Sequence, residues 1–161
     1  MVVNDEELKL FQDNMQLIRQ LAGLTQEELG NQIGVTKQTI NSIEKKKNKI
    51  TKTQYIAMRF ILKERIISFD SNSNKKKKNP DETIDILAWV LDAIVDNPQN
   101  YSDKDREFLI EKAKIFAPAI MKEETPRQEV TNTFLESLKP IGLAVGVIVM
   151  GVLGFKGLIK K

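Results

Sequence analysis

The sequence predicts an all-α protein, and three observations predict it. Apolar residues recur at three- and four-residue steps through most of the chain. Helix start signals, an Asn or Thr followed three residues later by Glu or Gln, stand before several of these segments. The chain also closes on "IGLAVGVIVMGVLGF", fifteen residues without a charged or polar side chain, which reads as a hydrophobic helix.

The first element is "NDEELKLFQDNMQLIRQLAG", where Leu8, Phe11, Met15, Ile18 and Ala22 share one face. Asn4 and Glu7 cap it and Gly23 stops it, so one continuous helix is expected. "LTQEELGNQIG" is a shorter helix opened by Thr25 with Glu28 and closed by Gly34. "VTKQTINSIEKK" is a third, with Thr36 as cap and Ile40 and Ile43 inward. A fourth, over about 53–66, is expected to send Ile56, Phe60, Ile61 and Leu62 into the same core.

Residues 68–80, "SFDSNSNKKKKNP", are polar and read as a linker. Lys75–Lys78 are a solvated tether on the plainest reading, with phosphate or anionic-lipid contact as the alternative. A further helix is expected from Asn79 and Pro80, with Ile84, Leu87, Ala88, Leu91, Ile94 and Val95 in one stripe. Ser102 starts the next, which carries Phe108, Leu109, Ala113 and Phe116 until Pro118 kinks or ends it. Thr125, Pro126 and Gln128 start the last helix of this acidic region, 81–139. Trp89 is the only tryptophan and reads as a packing residue before a ligand or partner site.

Composition narrows the chemistry. With neither cysteine nor histidine, the chain lacks the commonest nucleophile, general base and metal ligands, so no enzyme, metal site or cofactor is expected. The carboxylates Asp81, Glu82, Asp85, Asp103 and Asp105 fall in first helical turns, where they favour the helix dipole. Charge is divided unevenly: +6 over residues 1–80, −6 over 81–139 and +3 over 140–161. That division favours a polyanionic partner for the first segment only. The start "MVVNDEELKLF" has neither a basic nor an apolar leader region, and no signal peptide is expected.

The most specific pattern is "QEELGNQIGVTKQTINSIE", two short helices joined by a tight turn. Gly30 must be small because the helices approach closely there, and Gly34 permits the positive φ of the turn. Lys37, Gln38, Asn41 and Ser42 point outward from the third helix, all able to hydrogen-bond to base edges in a major groove.

On "RQLAGLTQEELGNQIGVTKQTINSIEKKK" the chain resembles the Cro/C1-type (XRE) helix-turn-helix family of phage and bacterial repressors, over roughly 8–66. The resemblance implies a lambda-repressor-like helical bundle over 1–67 that binds double-stranded operator DNA. It implies base reading by Thr36, Lys37, Gln38 and Asn41, with Gln38 suited to adenine, and the outward Ser42 joins them as a base-reading candidate by its place on the same helix. It assigns phosphate contacts to Gln26, Lys45, Lys46, Lys47 and Lys49. Arg19 and Glu44 match a pair that ties the first helix to the end of the third. Two departures stand out. The family usually has alanine at Gly30, and a glycine where Lys46 stands, so Asn48 is the candidate for the left-handed residue of that turn.

The tail, 140–161, is the other distinctive feature. From 141 to 159 Lys156 is the only charge, and a helix of that length spans roughly 28 Å at ~1.5 Å per residue. A bilayer core is ~30 Å thick, so a membrane anchor fits if Lys156 reaches a headgroup. Gly142 and Gly146 make a small-xxx-small face for close helix pairing. A helix buried in a soluble oligomer is the alternative, followed by an interfacial or unstructured tail. Lysines and arginines flank the run on both sides, so the positive-inside rule does not orient it.

The reading is therefore a repressor-like, sequence-specific transcriptional regulator of bacterial or phage type. It would act as a homodimer with a cytoplasmic DNA-binding domain, tethered to the membrane by its C-terminus. The alternative is a membrane-associated or oligomeric protein-interaction module, an antitoxin or assembly factor, built on the same small domain.

Overall fold

The first apolar stripe folds as two helices rather than one, α1 (Asp5–Asp13) and α2 (Met15–Leu21). Asn14 interrupts it with φ −113°, its Nδ2 donating to the Leu10 carbonyl at 2.9 Å. Asparagine offers the backbone this local alternative, and the ladder resumes where the Ile18 amide bonds to Asn14 at 3.0 Å. In the computed structural model the described residues are 2–73 and 84–139, and their regular elements are all helical. The chain divides into two units, Met1–Lys77 and Lys78–Lys161.

In the first unit α3 (Gln26–Ile33) and α4 (Lys37–Glu44) follow, capped by Thr25 and Thr36 as their start signals predict. Thr25 and Glu28 form the full reciprocal box. The fifth helix, α5 (Lys52–Ser73), opens on a second such box between Thr51 and Gln54. It continues through 68–73, residues read above as the start of a linker, and the Arg65 guanidinium lies 5.3 Å from the Phe69 ring centre.

The inward register of α5 also differs from expectation. Tyr55, Met58, Leu62 and Ile66 are buried, whereas Ile56, Phe60 and Ile67 are about half to two-thirds exposed. Tyr55 decides the register, because its polar end is satisfied inside. The hydroxyl donates to the Glu7 carboxylate, and Arg59 sits 5.6 Å above the ring. The ring itself meets Phe11 edge-on at 4.9 Å, a contact worth ~0.5–1.5 kcal/mol beyond its area. Periodicity alone weighs Ile and Phe above Tyr and so selects the neighbouring face.

The second unit contains α6 (Ile86–Leu91), a π turn (Asp92–Asp96), a 3-10 turn (Pro98–Asn100), α7 (Asp103–Lys122) and α8 (Arg127–Leu138). Helix α6 begins at Ile86, where the Asp85 carboxylate accepts from the Leu87 amide at 2.8 Å, and the start signal expected at Asn79 and Pro80 lies outside the described residues. From Ile86 to Val95 every residue is buried, not one stripe of them. Arg127 grips Asp85 through Nε and Nη2, at 2.5 and 2.9 Å. The hydroxyl of buried Thr131 takes up the Ile86 amide at 3.3 Å, so α8 secures the start of α6.

Asp92 is the buried acid among the described residues of this unit. It accepts from the Tyr101 hydroxyl at 2.5 Å and from Asn97 Nδ2 at 2.6 Å, closing the π turn. Burial, with the Asp92 carboxylate beside it, pushes the Tyr101 phenol far above its ordinary range. Helix α7 does not end at Pro118 but runs to Lys122, with Leu109, Ala113, Ala117 and Ile120 inward. Pro126, not Thr125, occupies the cap position of α8. Trp89 is buried, and its indole N–H is a buried polar group without a hydrogen-bond partner among the described residues.

No helix among the described residues is long and apolar enough to cross a membrane. The run 141–159, with Gly142 and Gly146, lies outside the described residues, as do Lys75–Lys78.

Candidate nucleic-acid interface

The turn between α3 and α4 sets the geometry of the site. A Cβ at Gly30 would stand 2.7 Å from the Val35 carbonyl oxygen and 3.3 Å from the Thr36 carbonyl carbon. Both obstacles are backbone, so a side chain here requires one strand of the turn to move. Glycine therefore replaces the expected alanine at a point of close approach, which offsets its ~1 kcal/mol deficit in helix propensity. Gly34 takes φ +77°, the left-handed conformation that ends α3, and the Val35 amide returns to the Gly30 carbonyl at 2.9 Å.

Helix α4 emerges from this turn with its first residues in solvent. Thr36, Lys37 and Gln38 are exposed, while Asn41 and Ser42 are half-buried one turn further along. The Thr36 hydroxyl is engaged as cap, accepting from the Thr39 amide at 3.1 Å. Ile40 and Ile43 are buried on the opposite side and fix the rotation of the helix.

Behind α4 lies a closed polar network. Arg19 donates through Nε and Nη2 to the two oxygens of Glu44, at 2.5 and 3.3 Å, and through Nη1 to the Leu24 carbonyl at 2.7 Å. Both side chains are under a tenth exposed. A charge pair at that depth is tolerable only because its donors are spent on good partners. The pair also recruits Gln26, whose Nε2 donates to Glu44 at 2.8 Å and to Asn41 at 3.4 Å. Both N–H bonds of the Gln26 amide are thereby used inside the domain. Donation from that amide to a phosphate would require it to leave Asn41 or Glu44.

The lysine loop follows. The Lys47 amide bonds to the Ser42 carbonyl at 2.9 Å and the Lys46 amide to Ile43 at 3.0 Å, a Schellman closure. The left-handed residue is Lys46 itself, at φ +59°, and not Asn48. A non-glycine residue there costs about 1–2 kcal/mol. The Lys46 ammonium reaches Asp13 at 2.9 Å, across from Lys9 at 2.7 Å. The hydrogen bond from Lys9, then the one from Lys46, holds the Asp13 carboxyl below its ordinary 3.8. Lys45, Lys47 and Lys49 are exposed. At the start of α3 the Thr25 backbone amide holds Glu28 below its ordinary 4.5.

A bundle of short helices that crosses two of them at a glycine turn and exposes polar residues at the start of the second defines a DNA-binding helix-turn-helix domain. Residues 15–58 match the helix-turn-helix family model, and this part of the chain is a helix-turn-helix domain of the XRE, or Cro/C1, type. The family is one of DNA-binding regulators. Comparison with curated proteins and with solved structures found no match.

Two side chains at the site were not legible in the sequence. Gln12 and Asp13, at the end of α1, both reach the lysine loop, although they lie more than thirty positions before it. Neither belongs to a capping signature or an apolar period, so only the packing of α1 beside α4 reveals them.

Proposed function

We propose that the chain is a sequence-specific, repressor-like transcriptional regulator that binds operator DNA as a homodimer. The observation that carries this reading is the pairing of an exposed polar start to α4 with the Arg19–Glu44–Gln26 network that fixes that helix from behind. In it Lys37, Gln38, Asn41 and Ser42 read base edges, with Thr36 at the helix start, and Lys45, Lys46, Lys47 and Lys49 meet phosphates. Gln26 serves first as a brace for Asn41, and only secondarily as a phosphate anchor.

Gln38 gives the direct test. An operator selected from a random duplex pool is compared with unrelated DNA, using wild type and Gln38→Ala. Loss of about 1–3 kcal/mol on the operator alone, with one position relaxed, supports base reading. Equal loss on both duplexes removes Gln38 from the base-reading set.

A single recognition helix covers too few base pairs for useful selectivity, which favours a dimer on a two-fold site. Ile56, Phe60 and Ile67 on α5 offer a second copy an apolar row, since Ile56 and Ile67 come opposite each other when two such helices pair antiparallel. Sedimentation of Phe60→Asp beside wild type tests it, and an unchanged mass would return the dimer contact to 81–138 or to Gly142 and Gly146. Membrane tethering rests on the sequence of 141–159 alone. An alkaline carbonate wash of the full chain and of one stopped after Lys139 decides it. Retention of the full chain only would make the tail an anchor, leaving the DNA-binding domain in the cytoplasm.

A further inference from the structure

We propose that Gln12 is a positioning residue for DNA-backbone binding, acting through the loop that carries Lys45, Lys46, Lys47 and Lys49. The inference rests on the DNA-binding reading above. Gln12 lies outside the matched residues 15–58, on a different helix from every residue assigned to DNA.

The geometry is that of a clamp. Gln12 Nε2 donates to the Ile43 carbonyl at 2.9 Å and to the Asn48 carbonyl at 2.7 Å. Its Oε1 accepts from the Ile50 amide at 3.2 Å. One side chain thus joins the end of α4, the far side of the loop and the residue that leads into α5. The task needs two donors and an acceptor on one flexible stem, which among side chains only an amide supplies. Asp13, the next residue, holds Lys46 from the same helix end.

The clamp matters because four ammonium groups within five residues repel one another, and Lys46 adds a strained backbone. Without it the loop would spread into many conformers, each placing fewer lysines along a phosphate row at once. Phosphate contacts made together set the salt dependence of binding, so a loosened loop lowers that slope. Base reading by Gln38 and its neighbours does not pass through this loop and keeps its preference.

The test is Gln12→Met, which keeps length and helix propensity and removes all three hydrogen bonds. Affinity is measured against salt on the selected operator and on unrelated duplex, for wild type and variant. The same substitution is made in a chain already carrying Lys45→Ala, Lys47→Ala and Lys49→Ala. We expect affinity to fall about three- to tenfold on both duplexes at low salt, with the slope smaller by ~1 and the preference between duplexes unchanged. In the background without Lys45, Lys47 and Lys49, where Lys46 alone remains in the loop, the substitution should have little further effect. Faster hydrogen exchange of the Ile50 amide reports the opened clamp without DNA. Gln12→Asn, too short to reach both loop ends, replaces the variant if it melts below the assay temperature. An unchanged slope, or an equal loss in the triple-alanine background, overturns the proposal while leaving the regulator reading in place. Failure of wild type to show salt-dependent DNA retention overturns both.

Discussion

The two units bury polar groups for different ends. In the N-terminal unit the buried pair Arg19–Glu44 stands directly behind an exposed helix, and its hydrogen bonds extend through Gln26 to Asn41 on that surface. In the C-terminal unit the buried Asp92 closes a turn of a segment that is itself hidden from Ile86 to Val95. The first arrangement holds a surface in a set orientation. The second holds only the fold of its own helices, as far as the described residues reach. Polar burial therefore carries functional meaning where it ends on solvent.

The largest test of that contrast is Glu44→Ala. It leaves the Arg19 guanidinium buried without its acid, a loss expected to cost about 3–5 kcal/mol, read as a shifted denaturation midpoint. Survival of the fold with little loss would make the pair dispensable and the contrast empty. Asp92→Ala comes next. It orphans the buried Tyr101 hydroxyl, at an expected cost of about 1–3 kcal/mol, and frees the half-buried Asn97 amide to turn to solvent. Fluorescence of Trp89, the only tryptophan, follows this unit alone. A shift in the Trp89 transition with wild-type DNA affinity would bear out the division of labour.

Lys46→Gly sharpens the comparison at smaller scale. It relieves a left-handed lysine but loses an exposed ion pair worth ~0.2–1 kcal/mol, so stability should rise by up to about 1 kcal/mol. DNA affinity should fall and the salt slope shrink. Gain in one quantity with loss in the other identifies a residue kept for binding; loss in both would give Lys46 a structural role.

The smallest effect is on pH. Glu28 is held below 4.5 by the Thr25 amide and Asp13 below 3.8 by Lys9, so both are charged more readily folded than unfolded. Their stabilisation is complete above those values and is lost as pH falls through the lower folded ones. Glu28→Gln should lower stability slightly above pH 4.5, where the charged carboxylate contributes, and leave it almost unchanged at strongly acid pH, so that the acid limb becomes shallower. An identical acid limb would assign that limb to other carboxylates.

The helix-turn-helix was legible because its chemistry forces residue types at fixed spacing. Thr25 with Glu28, Gly34, Thr36, Ile40 and Ile43 all take their expected places, because caps and turns are local and depend on a few neighbours. Arg19 and Glu44 were readable only through the family resemblance, since nothing local joins residues so far apart. The second unit has no such local code. A segment buried on every side has no polar face to give a period, so the expected stripe placed Leu87, Ala88, Leu91, Ile94 and Val95 inward but missed the burial of the residues between them.

What the sequence by itself determined was the all-helical class, the domain at the N-terminus and the polar row at the start of α4. Tertiary structure decided which face of α5 turns inward, because the half-buried carboxylate of Glu7 takes up the Tyr55 hydroxyl and makes Tyr55 a core residue. It also decided that Lys46 bears the left-handed turn and that Gln12 joins the two ends of the lysine loop. Such roles depend on partners brought close by packing, and the spacing of residues along a chain carries no trace of a contact that only the third dimension creates.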